Sequence, residues 1–238
     1  MIRDSKAFLI GIIMMVSFLG IYAYMMSPSF GDGRNGLEFA DDMFNSISKG
    51  SVEKVIQGEI GKVDAWNGNN IDVTLQAKDA EEADKWSKMI ETVDGSQVAV
   101  NNEAVTVKAD LGKVLADIGE VCTNMFNNNG DAIEQKYGLE ARDATYSWYN
   151  ISKAIVKDLE KQQQFKESIA IQQFQKKVIE PSYNYYGVEA KQVSNNVGIM
   201  TFMMVFYLIY TIWYGFSIYY LCQGFGITMS KSAKKQEA

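Results

Sequence analysis

The chain has no histidine and only two cysteines, Cys122 and Cys222. Without imidazole there is no serine–histidine or cysteine–histidine nucleophile, no histidine-ligated haem and no ordinary zinc or copper site. Carboxylates, hydroxyls, amines and aromatic rings remain. Acids gather at Asp79, Glu81, Glu82 and Asp84. Their spacing suits the first turn of a solvated helix, where negative charge meets the positive end of the dipole. Asp64, Asn67, Asn69 and Asn70 bring four oxygen-bearing side chains into one short loop. The spacing does not match an EF-hand and no closing glutamate follows, so the loop reads as a turn around Asn67-Gly68. Cys122 falls on the apolar side of a helical pattern and reads as a small buried residue. No catalytic, cofactor-binding or metal-ligating residue is assigned, and the chain is expected not to be an enzyme.

The residues that stand out are aromatic. Phe206, Tyr207, Tyr210, Trp213 and Tyr214 sit inside a long apolar run and form a candidate contact with a partner's transmembrane helix. Tyr183, Tyr185 and Tyr186, in the turn SYNYYG, are a candidate membrane-surface contact.

Two uncharged apolar runs must position the rest. Crossing about 30 Å of hydrocarbon takes roughly 20 helical residues. Residues 7–26 (AFLIGIIMMVSFLGIYAYMM) have that length, and residues 197–222 exceed it. The first run is too long for a signal-peptide core and ends in Tyr24-Met25-Met26 rather than small residues, so it is expected to stay as an anchor. Gly198, Thr201, Thr211 and Gly215 do not form a GxxxG pattern. Arg3 and Lys6 precede the first run, and Lys231, Lys234 and Lys235 follow the second. This bias predicts a two-span protein of the plasma (inner) membrane with both termini cytoplasmic and the middle outside. Of the net charge of −6, residues 1–26 contribute +1 and residues 197–238 contribute +2, which leaves −9 on the middle. An acidic exterior domain is a poor partner for nucleic acid.

Between the runs, residues 27–51 read as a linker and a short amphipathic helix that Lys49-Gly50-Ser51 ends. Residues 52–63 fit helix or strand. Residues 71–77 alternate strictly, as a half-buried strand does. A helix opens at Asp79, a hairpin follows around Asn101-Asn102-Glu103, and Asp110 caps a second helix. From Leu139 some forty residues keep helical spacing until Glu180-Pro181 ends or kinks them. The helix is expected to act as a stalk or to fold back as a hairpin.

The fold class is therefore an α+β extracytoplasmic domain between two transmembrane helices, with a small, mainly antiparallel sheet, covering helices and a long helix. Its parts are a cytoplasmic N-terminus (1–6), span 1 (7–26), linker and helix (27–51), α+β unit (52–130), helical stalk or hairpin with the Tyr-rich turn (131–196), span 2 (197–222) and a cytoplasmic tail (223–238). The expected function is a non-catalytic membrane subunit or scaffold that acts through protein–protein contacts, its partners being other membrane proteins or itself, within the lipid bilayer and with no nucleic acid. The alternatives are an exterior module that binds a small solute or peptide and, less favoured because neither span holds an ionisable residue, a pore or transporter component.

Overall fold

The computed structural model describes residues 2–227; the expected tail lies outside them from residue 228, and Lys231, Lys234 and Lys235 with it. In chain order the elements are α1 (Ser5–Met25), α2 (Gly36–Ile60), a 3₁₀ turn (Val63–Trp66), β1 (Asn70–Gln76), α3 (Ala80–Glu91), β2 (Gln97–Asn101), β3 (Ala104–Asp110), α4 (Leu111–Phe126), α5 (Gly130–Tyr137), α6 (Ala141–Lys161), α7 (Phe165–Phe174), a π-helical turn (Gln175–Ile179), α8 (Glu180–Asn184) and α9 (Val193–Gly224). They form two compact units: one from the two ends of the chain, up to Phe44 and from Lys191, the other Asn45–Ala190.

In the first unit α1 and α9 are long and apolar enough to cross a membrane. The Asp4 carboxylate caps α1 by accepting from the amides of Lys6 and Ala7, both at 3.0 Å.

The second unit is α+β. Its sheet is antiparallel in the order β1-β3-β2, with Val73 opposite Val107 and Val98 opposite the same residue from the other side. Alternation sends Ile71, Val73 and Leu75 of β1, and Val105 and Val107 of β3, to one buried face. Helices cover that face: α6 packs on β1, α4 on β3 and α3 on β2. The opposite face carries polar side chains such as Asp72 and Lys108, which pair at 3.0 Å. Asp79 and Asp110 cap α3 and α4, accepting from the amides of Glu82 at 2.8 Å and Lys113 at 3.2 Å.

Three elements differ from the sequence reading. The helix expected to stop at residues 49–51 runs on to Ile60 through Gly50 and Gly58. Each interior glycine costs a helix about 1 kcal/mol. Burying Ile56 in the core and seating Ile60 on Gly119 of α4 offsets that cost. The segment left open between helix and strand is thus helical to Ile60, and the turn at Asn67-Gly68 leads from the 3₁₀ turn into β1. The helical stretch after Leu139 breaks at Gln162–Gln164, where Gln163 is left-handed (φ 62°), and α7 returns against α6. Pro181 does not end the returning segment, which stays helical to Asn184. It has no N–H to offer Lys177, and the chain accommodates this by one π turn in which the Glu180 amide donates to the Gln175 carbonyl.

Candidate functional site

The aromatic run of α9 is built around its packing on α1. The two helices run antiparallel and close together, because two glycines let backbone meet side chain. A Cβ on Gly11 would lie 2.7 Å from the Leu221 nitrogen, and one on Gly224 would lie 2.6 Å from the Phe8 Cβ. The backbone amides of Arg3 and Asp4 donate to the Gly224 carbonyl at 2.8 and 3.1 Å, so the ends are level there. Along the seam the Trp213 indole Nε1 donates to the Met14 carbonyl and to Ser17 Oγ, both at 3.1 Å. The Tyr210 hydroxyl donates to the Phe18 carbonyl at 3.3 Å. Phe18 stacks on Tyr210 with centroids 4.3 Å apart and tilts against Tyr214 at 4.9 Å. Polar hydrogens of large aromatic side chains thus find partners inside an apolar helix pair, where leaving them unpaired is costly.

Of the five candidate partner-contact residues, Tyr210, Trp213 and Tyr214 therefore meet α1 of their own chain. Phe206 stacks on Tyr210 at 5.5 Å and Phe202 on Phe206 at 6.2 Å, so a ladder of rings climbs α9 from the seam. Tyr207 points away, 71% exposed. α9 has 32 residues and α1 has 21, a difference of 11. With the ends level at Gly224, the excess, roughly 16 Å of helix at 1.5 Å per residue, falls at the N-terminal end of α9. There the face that packs on α1 continues into Phe202, 66% exposed. The main packing of α9 is against α1.

In the second unit the tyrosine turn is drawn onto its own helices. The Arg142 guanidinium lies 5.3 Å from the Tyr183 ring and 5.4 Å from the Tyr186 ring, and Tyr185 meets Phe126 edge-on at 6.2 Å. Beside it lies a residue that sequence reasoning took only as a helix stop. Lys49 is 3% exposed. Its ammonium donates to the carbonyls of Val188 at 2.6 Å and Tyr185 at 3.1 Å and to Asn128 Oδ1 at 3.3 Å, with the Phe126 ring 4.9 Å away. Burial lowers its pKa below the ordinary lysine value, against the pull of Glu189 and Glu53. No helical spacing marks it in the sequence: two residues after Ile47, it falls away from the face that Met43 and Ile47 share.

A second polar cluster braces α4, α5 and α6. Tyr137 Oη donates to Asp117 Oδ2 at 2.7 Å and accepts from Trp148 Nε1 at 3.3 Å. Lys136 Nζ pairs with Asp117 Oδ1 at 2.5 Å and Glu120 Oε2 at 2.8 Å. Burial and the Asp117 charge push the Tyr137 hydroxyl well above its usual range, so it stays a donor. Burial pulls Lys136 down, but its bonds to Asp117 and Glu120 outweigh this and hold it charged. Burial also pushes the Cys122 thiol up to about 12, which makes it a poor nucleophile. Of the acids singled out in sequence, Asp79 is the cap of α3 and Asp84 pairs with Lys88 at 2.7 Å. The Asp64 carboxylate accepts from the Asn67 side-chain Nδ2 at 3.3 Å. Among the described residues no three of cysteine, aspartate and glutamate converge on a common point.

No protein-family model, no curated protein and no solved structure matches this chain.

Proposed function

We propose that this chain is a non-catalytic subunit or scaffold of a membrane complex. In this reading α1 and α9 cross the plasma (inner) membrane, both termini are cytoplasmic, and the acidic Asn45–Ala190 unit is extracytoplasmic. Partners are other membrane proteins or further copies. The observation that carries it is the overhang of α9: an apolar, aromatic helix face begins in a packed seam with α1 and continues through Phe206 to Phe202 beyond the end of that partner. In lipid, apolar burial alone gives no drive, so rings and small residues that pack well mark helix–helix contacts. The charge bias around the spans supports the orientation. Purification from native membranes in mild detergent, followed by mass measurement, tests the reading. It requires assemblies larger than one chain; a single chain carrying only lipid contradicts it.

A second reading, an exterior module that binds a small solute or peptide, has one observation in its favour. Tyr146, Tyr149 and Tyr183 line a depression of about 310 Å³ with Glu180 and Asn184. Thermal unfolding of the full chain in detergent against candidate solutes checks it, since a ligand of the folded state raises the midpoint.

A further inference from the structure

The sheet of the Asn45–Ala190 unit has two edges, finished in opposite ways. Along β1, the Thr74 amide donates to Asp158 Oδ2 at 3.0 Å, and the Gln162 amide donates to the Asp72 carbonyl at 2.8 Å. Side chains from the end of α6 thus occupy outward backbone groups of that strand. Along β2, no described side chain or backbone group outside β3 bonds to Gln97–Asn101. Four of its five residues are exposed. The sequence QVAVN carries no charge and no proline, the devices that ordinarily guard an edge. Val98 and Val100 pair with Val107 and Val105 and so share the helix-covered face, yet Val100 remains 47% exposed.

We infer that β2 is an interaction strand and that its occupant is β2 of a second copy of this chain, the two three-stranded sheets joining into one antiparallel sheet of six. The strand is complementary to itself about Ala99. An antiparallel dyad there sets Gln97 opposite Asn101 of the second copy and Val98 opposite its Val100. Amide meets amide, valine meets valine, and no like charges oppose. Such a contact is isologous and closes on itself, which suits a symmetric dimer. A foreign strand would find no charge on β2 to read, so the self-complement is where specificity lies. Five paired residues make a small contact, which depends on the high effective concentration of chains held in one bilayer. To that extent the inference rests on the membrane-subunit reading, but it does not use α9.

The test uses the full chain in membranes, carrying Cys222→Ser to remove the accessible native thiol and treated with a short bifunctional thiol reagent. Ala99→Cys sits on the dyad and is expected to give a covalent dimer. Gln97→Cys and Asn101→Cys are expected to cross-link when the two singly substituted chains are expressed together, and neither alone. Thr74→Cys, on the capped edge, is expected to stay monomeric. Ala99→Lys sets like charges on the dyad and is expected to lower the dimer fraction several-fold while circular dichroism stays unchanged. An uncross-linked Ala99→Cys chain, or equal cross-linking from Thr74→Cys, overturns the inference. Either result leaves partner recovery through α9 as a separate measurement.

Discussion

The ammonium of Lys49 donates to the carbonyl of Val188 at 2.6 Å, across 139 residues of sequence. Lys49 lies in α2, by which the chain comes from α1, and Val188 lies in the segment that leads on to α9. Asn128 completes the tie, accepting from the Gly187 amide at 2.7 Å and donating to the Val188 carbonyl at 3.1 Å. The two connections of the Asn45–Ala190 unit are therefore fastened at one point. Lys49→Met keeps the packed stem but removes three bonds from a charged donor, while the Val188 and Tyr185 carbonyls keep those from Asn128 and the Val188 amide; the expected cost is about 1–3 kcal/mol. Denaturant unfolding of the full chain in mild detergent reads this directly; wild-type stability in the variant would remove the tie from the account.

Asp158 guards the β1 edge, and its contribution depends on pH. Its carboxyl is buried enough to be pushed up, but bonds from the Thr74 amide, Gln162 and Lys161 hold its pKa below 3.8. Because the folded pKa is depressed, the stabilisation is present above the ordinary aspartate value and is lost as pH falls through the folded one. Asp158→Ala removes the bonds from the Thr74 amide, Gln162 and Lys161 and is expected to lower stability by about 1–3 kcal/mol at neutral pH. The gap from wild type should close as the solution is acidified below pH 3.8. A gap that is constant with pH would assign the effect to packing.

The seam between α1 and α9 depends on close approach at Gly11. Met15 Sδ and Ser217 Oγ are 4.0 Å apart across the seam, so Met15→Cys with Ser217→Cys, in a chain also carrying Cys222→Ser, is expected to give a disulfide under an added oxidant. Adding Gly11→Leu forces the Leu221 backbone away and is expected to suppress that disulfide. Trp213→Leu removes two hydrogen bonds and is expected to weaken the seam by roughly 0.6–1.5 kcal/mol, in line with interhelical bonds in lipid. Undiminished disulfide yield with Gly11→Leu would show that the helices do not meet there.

Cys122 is wholly buried, with its thiol pushed up to about 12. Alkylation by iodoacetamide at neutral pH is expected to leave Cys122 unmodified in the folded chain and to modify it fully in denaturant, as mass spectrometry of the peptide would show. Modification of the folded chain at the rate of a free thiol would mean that α4 opens.

Much of the α+β unit was legible because its signals are local. Ile71, Val73 and Leu75 alternate with polar residues, and Asp79 and Asp110 sit where N-caps belong. What was not legible depends on residues distant in sequence. Gly50 and Gly58 argue for a break that Ile56 and Ile60 override by packing in the core and on α4. Lys49 reads as a solvated helix end because its acceptors lie 79 to 139 residues away. The aromatic residues of α9 were visible as a group, but which of them face α1 was not. A helix apolar on all sides has no polar face to orient it, so the glycines at 11 and 224 and the hydrogen bonds of Tyr210 and Trp213 set its rotation.

The central claim, that the overhanging face of α9 meets another protein, is tested most directly by placing a photo-cross-linking residue at Phe202 and illuminating intact membranes. The account predicts a discrete adduct with a second polypeptide, and that Phe206→Ala, which breaks the ring ladder beneath it, reduces the yield. Adducts with lipid alone, at a yield unaffected by Phe206→Ala, would contradict it.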